Sequence, residues 1–375
     1  MTTPSAQLRP ARPSEPMVAD FTRSIPPLTA ELGAGLADAM TEMAVEHSDG
    51  LVLRETKSGG DQRDREQASR WIAPRFVLSP DPGRILLTNG NQSSFQLVAR
   101  HVAGIGGAVL TEQLTYGVID ELAYSVGVRL VPLAIDEEGL VPDAFEQAAR
   151  AGAGQLLYCN PTNHNPTTAI MSAERRLHIG RIAERYGIQI FEDDVLGRLH
   201  PDAPPPIAAS HPDLTWYSMG LTKCLAQGLR VGYLVCPSVA RRNELTAPTA
   251  RLSDWVANPL ATSIVRRWIE DGRAESITAS IRAEAVKRQA LAAQALPSAR
   301  YRAGADSLHL WLTVPEGQNA DEFARGARQL GVHVRPSSLF CVGENAQPNK
   351  VRLSLSTPRS RDEVAAGLDV IASLI

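Results

Sequence analysis

The residue around which chemistry would be organised is Lys223, one of four lysines in a chain that takes almost all its positive charge from arginine. Apolar, strand-like runs at 214–219 and 231–236 flank it and carry its ammonium toward the interior. An unpaired buried ammonium is costly, so such a lysine is deprotonated, paired or used covalently. Seven residues on, Arg230 offers a permanent cation whose planar donor fork suits a phosphate. A lysine able to form a Schiff base, followed closely by a phosphate-binding arginine, is the pattern that pyridoxal phosphate requires. A buried structural lysine beside a surface arginine is the plain alternative, and the pair alone leaves both open.

Four other stretches carry candidates, each with an ordinary explanation beside the chemical one. The segment 84–88 (RILLT) reads as a buried strand that runs into Asn89, Gly90, Asn91 and Gln92 and then into a helix. A glycine there lets the backbone approach a ligand, and the free N–H groups of the helix start suit a cofactor phosphate. Strand–turn–helix junctions are equally common in any α/β fold. Tyr116, in the loop 112–117 (EQLTYG) after a strand at 107–111, would stack on a pyridine ring or simply pack half-buried.

Asn165 lies in 160–168 (NPTNHNPTT), where Pro161 and Pro166 impose an irregular loop at a strand's C-terminal end. Open α/β sheets bind ligands at that end. The Asn165 amide suits a phenolate oxygen, while ordinary Asx-Pro turn chemistry is the competing explanation. Strand 188–191 delivers Glu192, Asp193 and Asp194. A carboxylate facing a pyridine nitrogen keeps it protonated and makes the ring an electron sink. A solvated acidic loop or a Mg²⁺ site would use the same residues, although no phosphate-binding P-loop accompanies them.

The elements that must position these groups alternate. Strands at 84–88, 107–111, 128–133, 155–159, 188–191, 214–219 and 231–236 are separated by helices, among them 142–151 and one capped by Ser172 and ended by Gly187. This order predicts an α/β fold, a mostly parallel sheet with helices on both faces in a large domain. Helical patterns over 258–296, strands at 307–314, 332–336 and 350–356, and helices at 320–330 and from 360 complete a smaller α+β domain. The expected division is an N-terminal arm and opening helix at 1–45 packing with the small domain, a large domain at 46–250, and linking helices with the small domain at 251–375. The polar stretch 47–67 is the least patterned, with Gly59 and Gly60 marking a loop before a helix at 64–72.

Composition narrows the function classes. A chain of 375 residues with 43% hydrophobic content has room for one large and one smaller domain. A net charge of −3 and a pI near 6.3 leave no footprint for nucleic acid. The first sixteen residues hold no apolar signal core and no run of eighteen apolar residues occurs, so a cytoplasmic protein without a membrane span is expected. Cys159, Cys224, Cys236 and Cys341 are widely spaced and read as reduced core residues. The eight histidines lack ligand spacing, so no metal site is expected.

Taken in order, GNQ, TY, NPT, EDDV, TKCLAQGLRVGY and VRLSLS resemble the fold-type I pyridoxal phosphate enzymes, specifically class I/II aminotransferases. The opening DFTRSIPP and the helical segment beginning WVANPLATSIVRRWIEDG are similar to the aminotransferase half of MocR/GntR-type regulators and their stand-alone relatives. The resemblance spans about 18–375 and implies the fold-type I transferase fold, pyridoxal 5′-phosphate as cofactor and a homodimer. A winged helix-turn-helix domain would need tens of residues ahead of this segment, so the resemblance implies a free-standing enzyme.

Carried over by position, the resemblance makes Lys223 the Schiff-base lysine and proton carrier, Asp193 the partner of the pyridine nitrogen, and Asn165 the donor to the phenolic oxygen. Gly90, Asn91 and Gln92 match the phosphate loop, Arg230 the phosphate cation, Tyr116 the stacking aromatic, and Arg352 the grip on the substrate α-carboxylate. The chain departs from the family at Leu196, where a tyrosine shares the phenolic contact, and at Gly220, normally a phosphate-binding serine, for which Ser218 or Thr222 would substitute. Thr168 replaces a glycine, Ser24 replaces the glycine before the opening proline at the substrate end, and 47–67 holds no tyrosine. Arg54, Arg63 and Arg65 in that loop would contact an acidic substrate group or a partner's phosphate, or be solvated.

The activity implied is transfer of an amino group between an α-amino acid and a 2-oxo acid by a ping-pong mechanism. The alternatives are elimination, cyclisation or oxidation of a specialised amino acid, or a non-catalytic module that senses the cofactor or an amino acid.

Overall fold

A computed structural model of the chain describes residues 17–54, 57–249, 251–343 and 348–375, so residues 1–16 of the expected arm lie outside the described residues. Its strands are β1 (Ala19–Asp20), β2 (Ile85–Thr88), β3 (Ala108–Glu112), β4 (Arg129–Leu133), β5 (Ile135–Asp136), β6 (Gly139–Leu140), β7 (Leu156–Cys159), β8 (Gln189–Asp193), β9 (Thr215–Gly220), β10 (Gly232–Val235), β11 (Tyr301–Arg302), β12 (Leu310–Thr313), β13 (Val332–His333), β14 (Arg335–Pro336) and β15 (Lys350–Leu353). Seven of them form one sheet in the order β2-β10-β9-β8-β7-β3-β4, parallel except for β10, which runs antiparallel to both neighbours.

Strands covered on both faces read as continuous apolar runs, and β2, β7, β9 and β10 are buried at every position. Alternation then divides their side chains between two cores. Along β9, Tyr217 and Met219 join a cluster with Trp71 and Trp268, whereas Trp216 joins Phe95 and Phe191 on the other face. The helices that supply these partners are α1 (Ala30–Glu46), α2 (Gln62–Ile72), α3 (Asn91–Val102) and Pro259–Glu270. A second sheet, β11-β12-β15-β14, is antiparallel throughout and packs with Arg273–Ala295, Ala320–Gln329 and Arg361–Ala372 over Phe323, Leu353 and Leu368.

Two stretches differ from what their patterns predict. The run 332–336 is broken into β13 and β14, because β13 pairs with the N-terminal β1 while β14 pairs with β15. Through that pairing, and through hydrogen bonds of Phe21 to His333 and Ser354, the arm is stitched to the small sheet and delivers residues 22–24 to the middle of the molecule. The glycine pair of the 47–67 stretch covers a sheet edge: Leu87 N–H donates to the Gly59 carbonyl at 3.1 Å. Gly59 has φ +77°, a left-handed conformation that favours glycine, and a Cβ there would also lie 2.3 Å from Leu86 Cδ1 and push it aside.

The end of β8 sets the geometry of everything beyond it. Alternation along the strand sends Glu192 and Asp194 to one face and Asp193 to the other. Glu192 accepts the Ile207 and Ala208 N–H groups at 2.9 and 3.0 Å and faces Arg176. Asp194, fully buried, pairs with Arg75 Nε at 2.9 Å and accepts the Tyr217 hydroxyl at 2.8 Å. Burial by itself would raise the Asp194 pKa, yet the Arg75 guanidinium holds it below the ordinary carboxylate range. Arg75 also donates to the carbonyls of Ala203 and Pro204, which ties the loop after β8 to the end of α2.

Removing one partner of a buried, hydrogen-bonded ion pair leaves the other charge uncompensated. Arg75→Met is therefore expected to lower stability by about 3–5 kcal/mol. Urea unfolding checks this, and Arg75→Met combined with Asp194→Leu should recover part of the loss.

Candidate active site

Most candidates of the large sheet sit at or just past the C-terminal end of a parallel strand, while Ser218 lies within β9 and Arg230 just before the antiparallel β10. Gly90 follows β2, Tyr116 follows β3, Asn165 lies in the loop after β7, Asp193 ends β8, and Thr222 and Lys223 follow β9. These ends open on one pocket, which is also lined by Thr22, Arg23 and Ser24 of the arm, by Arg335 and Arg352 of the small sheet, and by Phe340 in the turn after β14.

Lys223 lies at the junction. Its Nζ donates to the Ser24 carbonyl, and Ser24 Oγ is fixed by Ser354 Oγ at 2.8 Å. Burial, with the nearby guanidiniums of Arg352 and Arg23, lowers the Lys223 pKa to about 8. The amine is thus close to half neutral near that pH.

Asp193 projects from β8 into the same space. It accepts the Tyr158 hydroxyl at 2.9 Å, the Val195 N–H at 3.2 Å and the Asn91 amide. Burial raises its pKa to about 6, although these three donors pull it the other way. Asn91 is accordingly turned toward the acid: its Oδ1 accepts from Ser218 Oγ at 3.0 Å while its amide serves Asp193. Ser218 is fully buried on that contact and does not line the pocket, whereas Thr222 does.

A Cβ on Gly220 would lie 2.8 Å from Asn91 Oδ1, so the missing serine at 220 and the orientation of Asn91 are one arrangement. Leu196 is buried and packs with the core cluster of Met219 and Val231, which puts an apolar group where the family pattern has a tyrosine. Thr168 holds φ +62°, the left-handed conformation that explains a glycine at that position and costs a β-branched residue roughly 1–2 kcal/mol.

Arg352, buried on β15, donates to Asn165 Oδ1 at 2.7 Å and to the Thr22 carbonyl. Its Nε has no partner among the described residues. Burial, followed by the charge of Arg335, lowers its pKa to about 9. Asn165 is itself anchored, its N–H donating to Asn160 Oδ1 at 3.0 Å. Gln92 donates to the Tyr116 hydroxyl at 2.8 Å. Arg230 lines the pocket, and no ion pair is formed by it among the described residues.

The arrangement fits pyridoxal phosphate. Gly90, with φ +87° and nothing within 4 Å of a Cβ, opens the N-terminus of α3, whose first N–H groups have no intrahelical acceptor. Thr222 and Arg230 line the same pocket, together with the buried carboxylate of Asp193 and a lysine with a depressed pKa. Among the described residues no cluster of His, Cys, Asp and Glu could hold a metal ion, and the buried acids of β8 are each taken up by a protein partner.

Several contacts were not legible beforehand. Tyr158 supports Asp193 from a strand that reads only as apolar, Asn160 at the start of the 160–168 loop supports Asn165, and Arg335 on β14, His309 just before β12 and Phe340 just after β14 come from the small-sheet side. Arg23 adjoins Ser24, and its position next to the opening Pro motif was the available signal. Arg63 instead pairs with Glu270 at 2.8 Å, and Arg65 donates to the Gly60 carbonyl at 2.6 Å; neither lines the pocket, and Arg54 is exposed.

A family model for aminotransferase class I and II matches residues 33–369. Over 322 residues the chain is 26% identical to YdeF of Bacillus subtilis, an uncharacterized HTH-type transcriptional regulator, covering 84% of this chain and 68% of that protein. It is 26% identical over 330 residues to the 2-aminoadipate transaminase of Thermus thermophilus, covering 85% of this chain and 80% of the relative. The crystal structure of LysN, the α-aminoadipate aminotransferase of Thermus thermophilus complexed with N-(5′-phosphopyridoxyl)-L-leucine, shares the fold with a TM-score of 0.83 at 22% identity, over 96% of this chain and 92% of that one. A sequence match that runs nearly the length of the chain, on this fold, places the protein in the aminotransferase class I and II family, pyridoxal phosphate-dependent aminotransferases of fold type I.

Proposed function

We propose that the protein moves an amino group between an α-amino acid and a 2-oxo acid in two half-reactions of a ping-pong cycle. The observation that carries this reading is the convergence of Lys223, Asp193 and the Arg352–Asn165 pair, from four separate segments, on one pocket. The N–H groups of Gly90, Asn91 and Gln92, with Thr222 and Arg230, would hold the cofactor phosphate. Asp193 would face the ring nitrogen, Tyr116 the ring, and Asn165 the phenolic oxygen.

When bound, pyridoxal phosphate supplies an aldehyde that takes up the amino group and a ring that withdraws electrons from Cα. The chain's own groups do the rest. Arg352 orients the substrate by its α-carboxylate, the anion its unpaired Nε and forked geometry suit. Lys223 Nζ, made a usable base by its lowered pKa, takes the Cα proton and returns one in the opposite direction. Asp193 stays ionised above about pH 6, where its charge favours a protonated ring nitrogen.

The likeness to HTH-type regulators favours one second reading, a module that binds an amino acid without turnover. A homodimer is also proposed: Leu36 and Met40, one turn apart on α1, and Leu51 and Leu53 just after it leave large apolar side chains exposed that a second copy would cover. No helix among the described residues is long and apolar enough to cross a membrane, and a cytoplasmic setting is proposed with the homodimer.

Single-turnover mixing of the cofactor-loaded protein with a panel of amino acids, with assay of the 2-oxo acid formed, tests the main reading. Lys223→Ala should lose about 10²–10⁴-fold in the rate of proton transfer. Donor binding without any 2-oxo acid would favour the sensing module. Covalent loading of cofactor-free protein should accelerate with pH through about 8 and level off above it, because only the neutral amine carries the attacking lone pair. A midpoint near the ordinary lysine value of 10.5, followed by absorbance, would contradict the lowered pKa.

A further inference from the structure

Five cationic side chains line the pocket, Lys223, Arg23, Arg230, Arg335 and Arg352, and Asp193 is the one carboxylate among the described lining residues. The proposed reaction uses only part of this charge. Lys223 acts as a neutral amine and Asp193 faces a protonated ring nitrogen, so these two drop out. The cofactor phosphate brings close to two negative charges and the substrate α-carboxylate one. Four guanidiniums against three negative charges leave one without a counterion, and Arg23 and Arg335 are without an assigned role.

Arg335 is the more telling of the two. It stands directly opposite Arg352 in the register of β14 and β15, a like-charge pairing that an antiparallel sheet ordinarily avoids. Both guanidiniums lie over the Phe340 ring, 5.5 Å and 4.9 Å from its centroid. Neither Arg335 nor Arg23 forms an ion pair among the described residues, although the chain elsewhere satisfies arginines such as Arg75, Arg176 and Arg267 with carboxylates. His309 is buried in the same pocket, where burial and the charge of Arg352 keep its imidazole neutral.

We infer that the pocket is built for a dicarboxylic substrate, with Arg352 taking the α-carboxylate and Arg335, assisted by Arg23 at the mouth, taking a second carboxylate on the side chain. The repulsion between the opposed arginines is then relieved by the two ends of one ligand. The amino donor is an acidic amino acid, and the matching acceptor is a 2-oxo dicarboxylic acid. This inference rests on the transamination reading for its substrate names, but its binding consequence does not require turnover.

The test compares glutarate with its uncharged-end counterpart glutaramate, titrated calorimetrically into protein saturated with pyridoxal phosphate. Glutarate should bind more tightly by about 10- to 100-fold, the range for a hydrogen-bonded charged group. Arg335→Gln should collapse that ratio by a similar factor, Arg23→Gln should lower it less, and Arg335→Lys, which keeps the charge without the fork, should restore part of it. Equal affinities in the wild-type protein would overturn the inference. So would an unchanged ratio in Arg335→Gln accompanied by a lower mass in sedimentation, which would mean that Arg335 meets a carboxylate of a second copy. Preference for glutarate in a protein that converts no donor would defeat the transamination reading while leaving the dicarboxylate pocket standing.

Discussion

An amine withdrawn from water beside arginines cannot stay fully charged, and the pocket is arranged around that constraint. Burial and the fields of Arg352 and Arg23 lower the Lys223 pKa to about 8, within reach of neutral conditions. The same guanidiniums favour anions in the pocket, so one set of positive charges both activates the base and recruits the ligands it acts on. Lys223 donates to a carbonyl of the arm, and the arm is held by the pairing of β1 with β13 and by the hydrogen bond from Ser354, just past β15, to Phe21. The base is therefore positioned by the junction of the two sheets rather than by its own loop alone.

The opposite pole, Asp193, depends on strand periodicity. Three consecutive acids, the last two residues of β8 and the one after it, alternate in direction: Glu192 and Asp194 make structural contacts with Arg75, Arg176 and backbone N–H groups while Asp193 enters the pocket. The structural pair costs desolvation, but it locks the strand end from which Asp193 projects. Around that carboxylate the chain departs from the family pattern in a coordinated way: with no side chain at 220, Asn91 occupies the space and turns its amide to Asp193. A polar group removed at one position thus reappears as a donor from a neighbouring element.

The relatives include both regulators and transaminases, so the fold alone does not separate an enzyme from a sensor. What bears on the question is the content of the pocket: a base with an accessible neutral form, a buried carboxylate and a partly unpaired arginine. An excess of cations there also speaks to the charge of the ligand, a property that neither the fold nor the family description carries.

The local order of elements was legible in the sequence because it is written in short-range chemistry. Apolar runs marked β2, β7, β8, β9 and β10 to within a residue or two, Ser172 and Gly187 bracketed their helix as cap and left-handed stop, and the order of motifs pointed to Lys223, Asp193, Asn165 and Arg352. Burial and periodicity act over a few residues, so sequence suffices for them. The tertiary structure alone decided which partners those groups meet. Arg335 opposing Arg352, Asn91 serving Asp193, Ser24 holding Lys223 and Gly59 covering β2 join residues 17 to 199 positions apart or on separate strands. Such contacts are fixed by the packing of one sheet against another, and no short-range signal specifies them.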